Sequence, residues 1–171
     1  MRINRKYIKV VIFFCTFLSA CGYRFAGGGN LPNGIGSISI QILENRTAET
    51  GVESVFTNDL IYEISKNKGV VLTSSDRADA TLTGVIESIR SETISRAGQL
   101  TAIEKRVIAV VDLKLADPDE KIIWSAKGVT ENEAYDVSGD KQLSERNKRA
   151  AIEKLSKRLA EKIYHRLTDD F

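Results

Sequence analysis

The chain has 171 residues, with 25 basic and 23 acidic side chains, one histidine and two cysteines. The near balance of charge gives no bulk support to nucleic-acid binding. One histidine and two cysteines exclude a disulfide framework and leave too few ligands for a zinc centre.

The first nine residues contain Arg2, Arg5, Lys6 and Lys9 and no acid, and Val10 to Ala20 are then apolar apart from Thr16 and Ser19. A basic start, a short apolar run and small residues at its exit describe a secretory signal peptide. The run is about half of the ~20 residues needed to span a bilayer as a helix. Its exit, Leu18-Ser19-Ala20-Cys21, resembles the lipobox of bacterial lipoproteins. That resemblance implies cleavage before Cys21, diacylglycerol on its sulfur and acylation of the new amino group. Each buried methylene is worth about 0.8 kcal/mol, so two or three chains on one residue make release negligible. Residue 22 is Gly rather than the Asp associated with inner-membrane retention in enteric-type bacteria, so the resemblance implies the cell outer membrane, facing the periplasm.

Loss of residues 1–20 leaves 151 residues, enough for one domain with a core of its own. Four basic residues go with the signal, so the mature chain has 21 basic against 23 acidic, a net of −2. Cys15 leaves and Cys21 is taken by lipid, so no thiol remains and the body is held by its core alone.

Residues 21–36, with Gly27-Gly28-Gly29, Pro32 and Gly34, read as a lipidated flexible tether. Residues 37–171 read as a single domain. Ile38, Ile40 and Ile42 alternate with polar residues, as in a half-buried strand. Thr50-x-x-Glu53 has the spacing of a capping box. Val52, Phe56, Leu60 and Ile64 follow on one helical face, and Lys66, Asn67, Lys68 and Gly69 end it. Val70 to Leu72 is a short strand and Asp76 to Asp79 a turn.

From Ala80 the chain is β-rich. Leu82, Gly84 and Ile86 share a strand face, Arg96-Ala97-Gly98-Gln99 is a hairpin turn, and Ile103, Val107, Ala109, Val111, Leu113 and Leu115 alternate on the return strand. Ile108 and Val110 make its second face apolar as well, which predicts a central strand. Asp117-Pro118-Asp119 turns the chain again, and Ile122, Trp124 and Ala126 begin the last strand, to about Tyr135. Ser138-Gly139-Asp140 opens a helix over roughly Lys141 to Leu167, with Ile152, Leu155, Leu159 and Ile163 as its core stripe. Glu145–Arg149 and Glu153–Lys157 have favourable i,i+4 spacing. The order β-α-(β)-β-β-β-α predicts an α+β fold, a two-layer α/β sandwich with two helices on one face of a mostly antiparallel four- to five-stranded sheet.

No catalytic constellation is legible. His165 is the one histidine, near the end of a helix, and Asp117, Asp119 and Glu120 sit in a hairpin turn; the expectation is no enzyme, no cofactor and no metal. Charge distribution is more informative. Nine Lys/Arg and three Glu lie between Lys141 and Arg166, a local +6 in a mature chain of −2. Arg90, Arg96, Lys105 and Arg106 gather towards one hairpin end. Such a cluster on an outer-membrane protein suits the phosphates of lipopolysaccharide, through charge-assisted hydrogen bonds.

Cys21-Gly22-Tyr23-Arg24-Phe25, "LPNGIGSISIQILENRT" (31–47), "RADATLTGVI" (77–86), "RAGQLTAIEKRV" (96–107) and the terminal amphipathic helix are similar in order and spacing to the LptE family of lipopolysaccharide-assembly lipoproteins. The resemblance implies a non-enzymatic partner of the outer-membrane β-barrel LptD, one that plugs and helps assemble that barrel and binds lipopolysaccharide on its way to the outer leaflet. It makes Arg96, Lys105, Arg106 and Lys141 the expected lipid contacts. Two other lipoprotein classes share the length and anchor: an auxiliary lipoprotein of an ABC-type lipid transporter, and an activator of a peptidoglycan synthase.

Overall fold

The computed structural model describes residues 31, 34–66, 69–97 and 101–169. The expected signal peptide and Cys21 lie outside the described residues, as do Gly98 and Gln99 of the hairpin turn. Strands β1 (Ser37–Ile40) and β2 (Glu44–Asn45) precede helix α1 (Val52–Ser65) and strand β3 (Val71–Leu72). Three long strands follow, β4 (Ala80–Ala97), β5 (Thr101–Ala116) and β6 (Ile122–Asp136), and helix α2 (Lys141–Asp169) closes the order.

The sheet runs β3-β1-β4-β5-β6, with β2 also paired to β4. The two long ladders, β4·β5 and β5·β6, are antiparallel, whereas β1·β3, β1·β4 and β2·β4 are parallel. The fold is therefore the expected α+β sandwich, with β5 central, but the sheet has six strands rather than four or five because β2 joins a parallel margin at one side.

Alternation decides which face is buried. Val107, Ala109, Val111, Leu113 and Leu115 of β5 are buried and lie opposite Ile86 and Leu82 of β4 and Val129 and Trp124 of β6. Against this face α1 sets Val52, Phe56, Leu60 and Ile64, and α2 sets Ile152, Leu155, Leu159, Ile163 and Leu167, all buried in one core. Full burial of each such side chain contributes about 1.5–3 kcal/mol, so the inward stripe outweighs local helix propensity in holding α2 in place. The core also reaches into the segment expected as tether. Leu31 is only 3 % exposed and Ile35 packs against the cluster, because a leucine beside an apolar face is drawn onto it whatever the glycines around it allow.

The β1–β2 line is broken so that Leu43 can drop into the core. Its N–H leaves the ladder and donates to Thr57 Oγ1 on α1 (3.0 Å). Gly84 makes the space: a Cβ there would stand 2.8 Å from the Asp112 carbonyl oxygen and 2.9 Å from Leu43 Cδ2. The expected capping box does not form. Gly51 caps α1 in the left-handed region (φ 83°) without a side-chain bond. Glu53 instead accepts from Asn45 Nδ2 (2.9 Å), while Asn45 Oδ1 accepts from Thr47 N and Oγ1. Asn45, held in β2, thus organises the entry to α1, and Thr50 is left out. α2 opens where expected, after Ser138-Gly139-Asp140, and Asp140 caps it, its Oδ1 accepting from Gln142 N at 2.8 Å.

Candidate anionic-ligand site at the hairpin end

The β4–β5 hairpin and the start of α2 share one end of the molecule. Val137 N donates to Ile103 O (2.9 Å), four residues before α2 begins at Lys141. The structure brings Arg96, Lys105, Arg106 and Lys141 to this end but not to one surface. Lys105 is registered against Thr93 and Tyr135 on the helix-bearing face, whereas Arg106 points to the uncovered face, opposite Glu92 and Ala134. Successive strand residues must diverge in this way. Arg96 is exposed and paired in register with Ala102, and Lys141 is exposed at the first turn of α2. Among the described residues none of these four has a carboxylate within ion-pair distance. Arg90, of the same basic group, does: its Nε lies 3.2 Å from Glu92 Oε1.

The cations further along α2 are used differently. Arg158 Nη2 lies 2.6 Å from Glu133 Oε2, Lys154 Nζ 3.8 Å from the other oxygen of that carboxylate, and Lys162 Nζ 3.4 Å from Glu131 Oε2. Lys162 and Arg158 also donate to the carbonyls of Thr130 and Asn132 on β6, and Asn147 Nδ2 donates to that of Asp136. Lys148 pairs with Glu49 in the loop before α1. Burial of Lys148 would by itself lower its pKa, but hydrogen bonding and charge from Glu49 outweigh it and the net shift is upward from 10.5. The i,i+4 pairs Glu145–Arg149 and Glu153–Lys157 are not among the ion pairs of the described residues. Carboxylates brought up by the fold, not by local spacing, hold these lysines and arginines. Arg146 and Arg149, read from the sequence as part of the basic helix but not as ligand contacts, line a shallow depression with Lys141, Gln142 and Glu145. They extend the basic surface along the first turns of α2, and their position on the helix side turned from the core is the signal that could have found them.

At the opposite end of the body the polar groups are structural. Asp79 accepts from Gly36 N (3.2 Å), Ser37 N (2.8 Å) and Ser37 Oγ (2.8 Å), tying the start of β1 to that of β4. The Ser37 hydroxyl, then the Ser37 backbone N–H, holds the Asp79 carboxyl below its usual 3.8. His165 is exposed on α2, edge-on to the Tyr164 ring at 6.1 Å. Asp117 spends its carboxylate on its own turn, accepting from Asp119 N and Lys121 N. Among the described residues no three His, Cys, Asp or Glu side chains gather to hold a metal ion, and no helix is long and apolar enough to cross a membrane.

A family model described as LptE, lipopolysaccharide-assembly, matches residues 35–167. No curated protein matches the sequence. The fold is similar to the solution structure of lipoprotein B from Nitrosomonas europaea, with a TM-score of 0.59 at 16 % identity over 86 % of this chain and 90 % of that one. It is similar also to a minor lipoprotein from Acinetobacter baumannii (TM-score 0.54, 15 % identity, 78 % and 91 % covered). Rare lipoprotein B from Shewanella oneidensis is a third such structure (0.53, 12 %, 78 % and 95 %). At these identities the likeness carries the fold alone.

Proposed function

Since the chain belongs to the LptE family of lipopolysaccharide-assembly proteins, we propose that it is an outer-membrane lipoprotein, anchored through Cys21, that plugs and helps assemble the LptD β-barrel and binds lipopolysaccharide during its insertion into the outer leaflet. The observation that carries the reading is the set of cations at one end, exposed Arg96, Arg106 and Lys141 and half-buried Lys105, which have no carboxylate within ion-pair distance among the described residues. Lysine and arginine left without internal partners are available to phosphate. The positive end of the α2 dipole lies at the same end and adds to the attraction for anions. The body works by binding rather than by catalysis. A compact sandwich with a polar exterior suits the polar lumen of an outer-membrane barrel, and the lipid on Cys21 keeps it at the membrane.

Extraction of the full lipid-anchored chain from outer membranes in mild detergent tests the proposal. The expected companion is a large β-barrel; recovery of a transporter complex or a peptidoglycan synthase instead would replace this reading by one of the two other lipoprotein classes. The anchor is tested separately: Cys21→Ser abolishes labelled-palmitate incorporation, and incorporation at the wild-type level overturns it.

A further inference from the structure

Where the fold brings a carboxylate to a cation of α2, the two pair. Lys154 and Arg158 share Glu133, Lys162 has Glu131, and Lys148 has Glu49. Lys141, Arg146 and Arg149, in the first turns of the helix, meet no carboxylate within ion-pair distance among the described residues, and all three are exposed. They line one shallow depression together with Gln142 and Glu145. Arg146 and Arg149 are three residues apart, so they stand on adjacent turns of one helix side. Lys141 lies about 7.5 Å before Arg146 along the axis, at 1.5 Å of rise per residue.

Three cations in the depression therefore face one carboxylate, Glu145. Even with Glu145 drawn to one arginine, two positive charges remain. The neighbouring acids are engaged or turned away. Asp140 is spent on the helix start, its Oδ1 accepting from Gln142 N and Leu143 N. Glu49 is held by Lys148. Glu153, one turn beyond Arg149, lines the adjoining depression at the start of α1 and not this one. On the sheet, Glu92, Glu104 and Asp136 share the uncovered face with Arg106, on the side away from α2. The positive end of the α2 dipole adds to the surplus.

We infer that Lys141, Arg146 and Arg149 form a phosphate subsite, which holds a second phosphate of the same lipopolysaccharide molecule whose first is held by the hairpin cations. The inference rests on the lipopolysaccharide-binding reading and deepens it. Two guanidinium groups each offer a fork of N–H donors, and the ammonium of Lys141 supplies a third point of charge. The oxygens of a phosphate accept from all three at once. Lys141 stands at the start of α2, four residues after the Val137–Ile103 bond that ties this segment to the hairpin. One lipid bearing two phosphates thus reaches both groups of cations without leaving this end of the body.

The test uses the full lipid-anchored chain in mild detergent. The probes are lipid A with both phosphates and its monophosphorylated form. Arg146→Gln with Arg149→Gln should bind the bisphosphorylated lipid about tenfold more weakly. Its melting temperature should be unchanged, since both side chains are exposed. Arg96→Glu with Lys105→Glu serves as the hairpin comparison. With the monophosphorylated lipid, one of these two variants should bind like the wild type and the other should keep its defect, because only one group of cations still has a phosphate to hold. Wild-type binding of the bisphosphorylated lipid by R146Q/R149Q overturns the inference. So does a defect of both variants, or of neither, with the monophosphorylated lipid. Failure of the wild type to bind either lipid overturns the lipopolysaccharide reading itself, and the subsite falls with it.

Discussion

The cations of the second half of α2 and those of the hairpin end look alike in composition, and the fold gives them different work. Lys154, Arg158 and Lys162 face Glu133 and Glu131 and the carbonyl edge of β6, so they fasten helix to sheet. Arg96, Lys105, Arg106 and Lys141 meet no such carboxylates among the described residues. A count of charge along a helix therefore overstates what is available to a ligand. The pairing of each cation decides whether it serves stability or binding.

The first set and Lys141 of the second depend on α2 being seated, so the largest effect comes from its buried stripe. Leu159 is 1 % exposed, and Leu159→Ala should cost about 3 kcal/mol, read as a lower urea midpoint, with every other property of the helix weakened in step. Glu133→Lys removes the carboxylate shared by Arg158 and Lys154 and sets like charges together. The side chain of Arg158 is 46 % exposed, so screening limits the expected loss to about 1–2 kcal/mol, with lipopolysaccharide binding retained. A loss of binding without a loss of stability would blur the distinction between the two sets.

The Lys148–Glu49 pair is a smaller case with a definite sign. The Lys148 pKa is raised above 10.5, so its contribution is complete below that pH and fades as pH climbs through the folded value. Thermal melts between pH 9 and 12 should show this alkaline loss in the wild type and a reduced loss in Lys148→Met, which is also about 1 kcal/mol less stable at neutral pH. Asp79 supplies the mirror image: its pKa lies below 3.8, so its contribution holds above that value and is lost as pH falls. Asp79→Asn should flatten the acid limb of the stability profile. The smallest effect on stability is expected where the effect on binding is largest. Arg96→Glu combined with Lys105→Glu should move the melting midpoint by no more than about 0.5 kcal/mol allows.

How much of this was legible beforehand follows from the range of each interaction. Alternation in β5 and the four-residue stripe of α2 are local periodicities that burial enforces, so both are visible in the chain. The β2 strand is not, because two residues become a strand only when Glu44 and Asn45 come into register with Val85 and Ile86. The entry to α1 misled for a similar reason. Thr50 and Glu53 have the spacing of a reciprocal cap, but Asn45, eight residues before Glu53, takes its carboxylate first. The partners of the α2 cations lie on β6, 25 and 31 residues away for Arg158–Glu133 and Lys162–Glu131. No spacing rule reaches that far. At the hairpin end the clustering of basic residues was visible, but their division between faces, Lys105 to one and Arg106 to the other, needed the register.

Retention on immobilised lipopolysaccharide at two salt concentrations tests the division of labour most directly. The account predicts that Arg96→Glu with Lys105→Glu loses most of its retention and most of its salt dependence while remaining folded, and that Lys162→Gln, which removes a cation paired with Glu131, is retained like the wild type. Equal retention of the tip variant, or a larger loss from Lys162→Gln, would contradict the assignment of the hairpin end as the lipid-binding site.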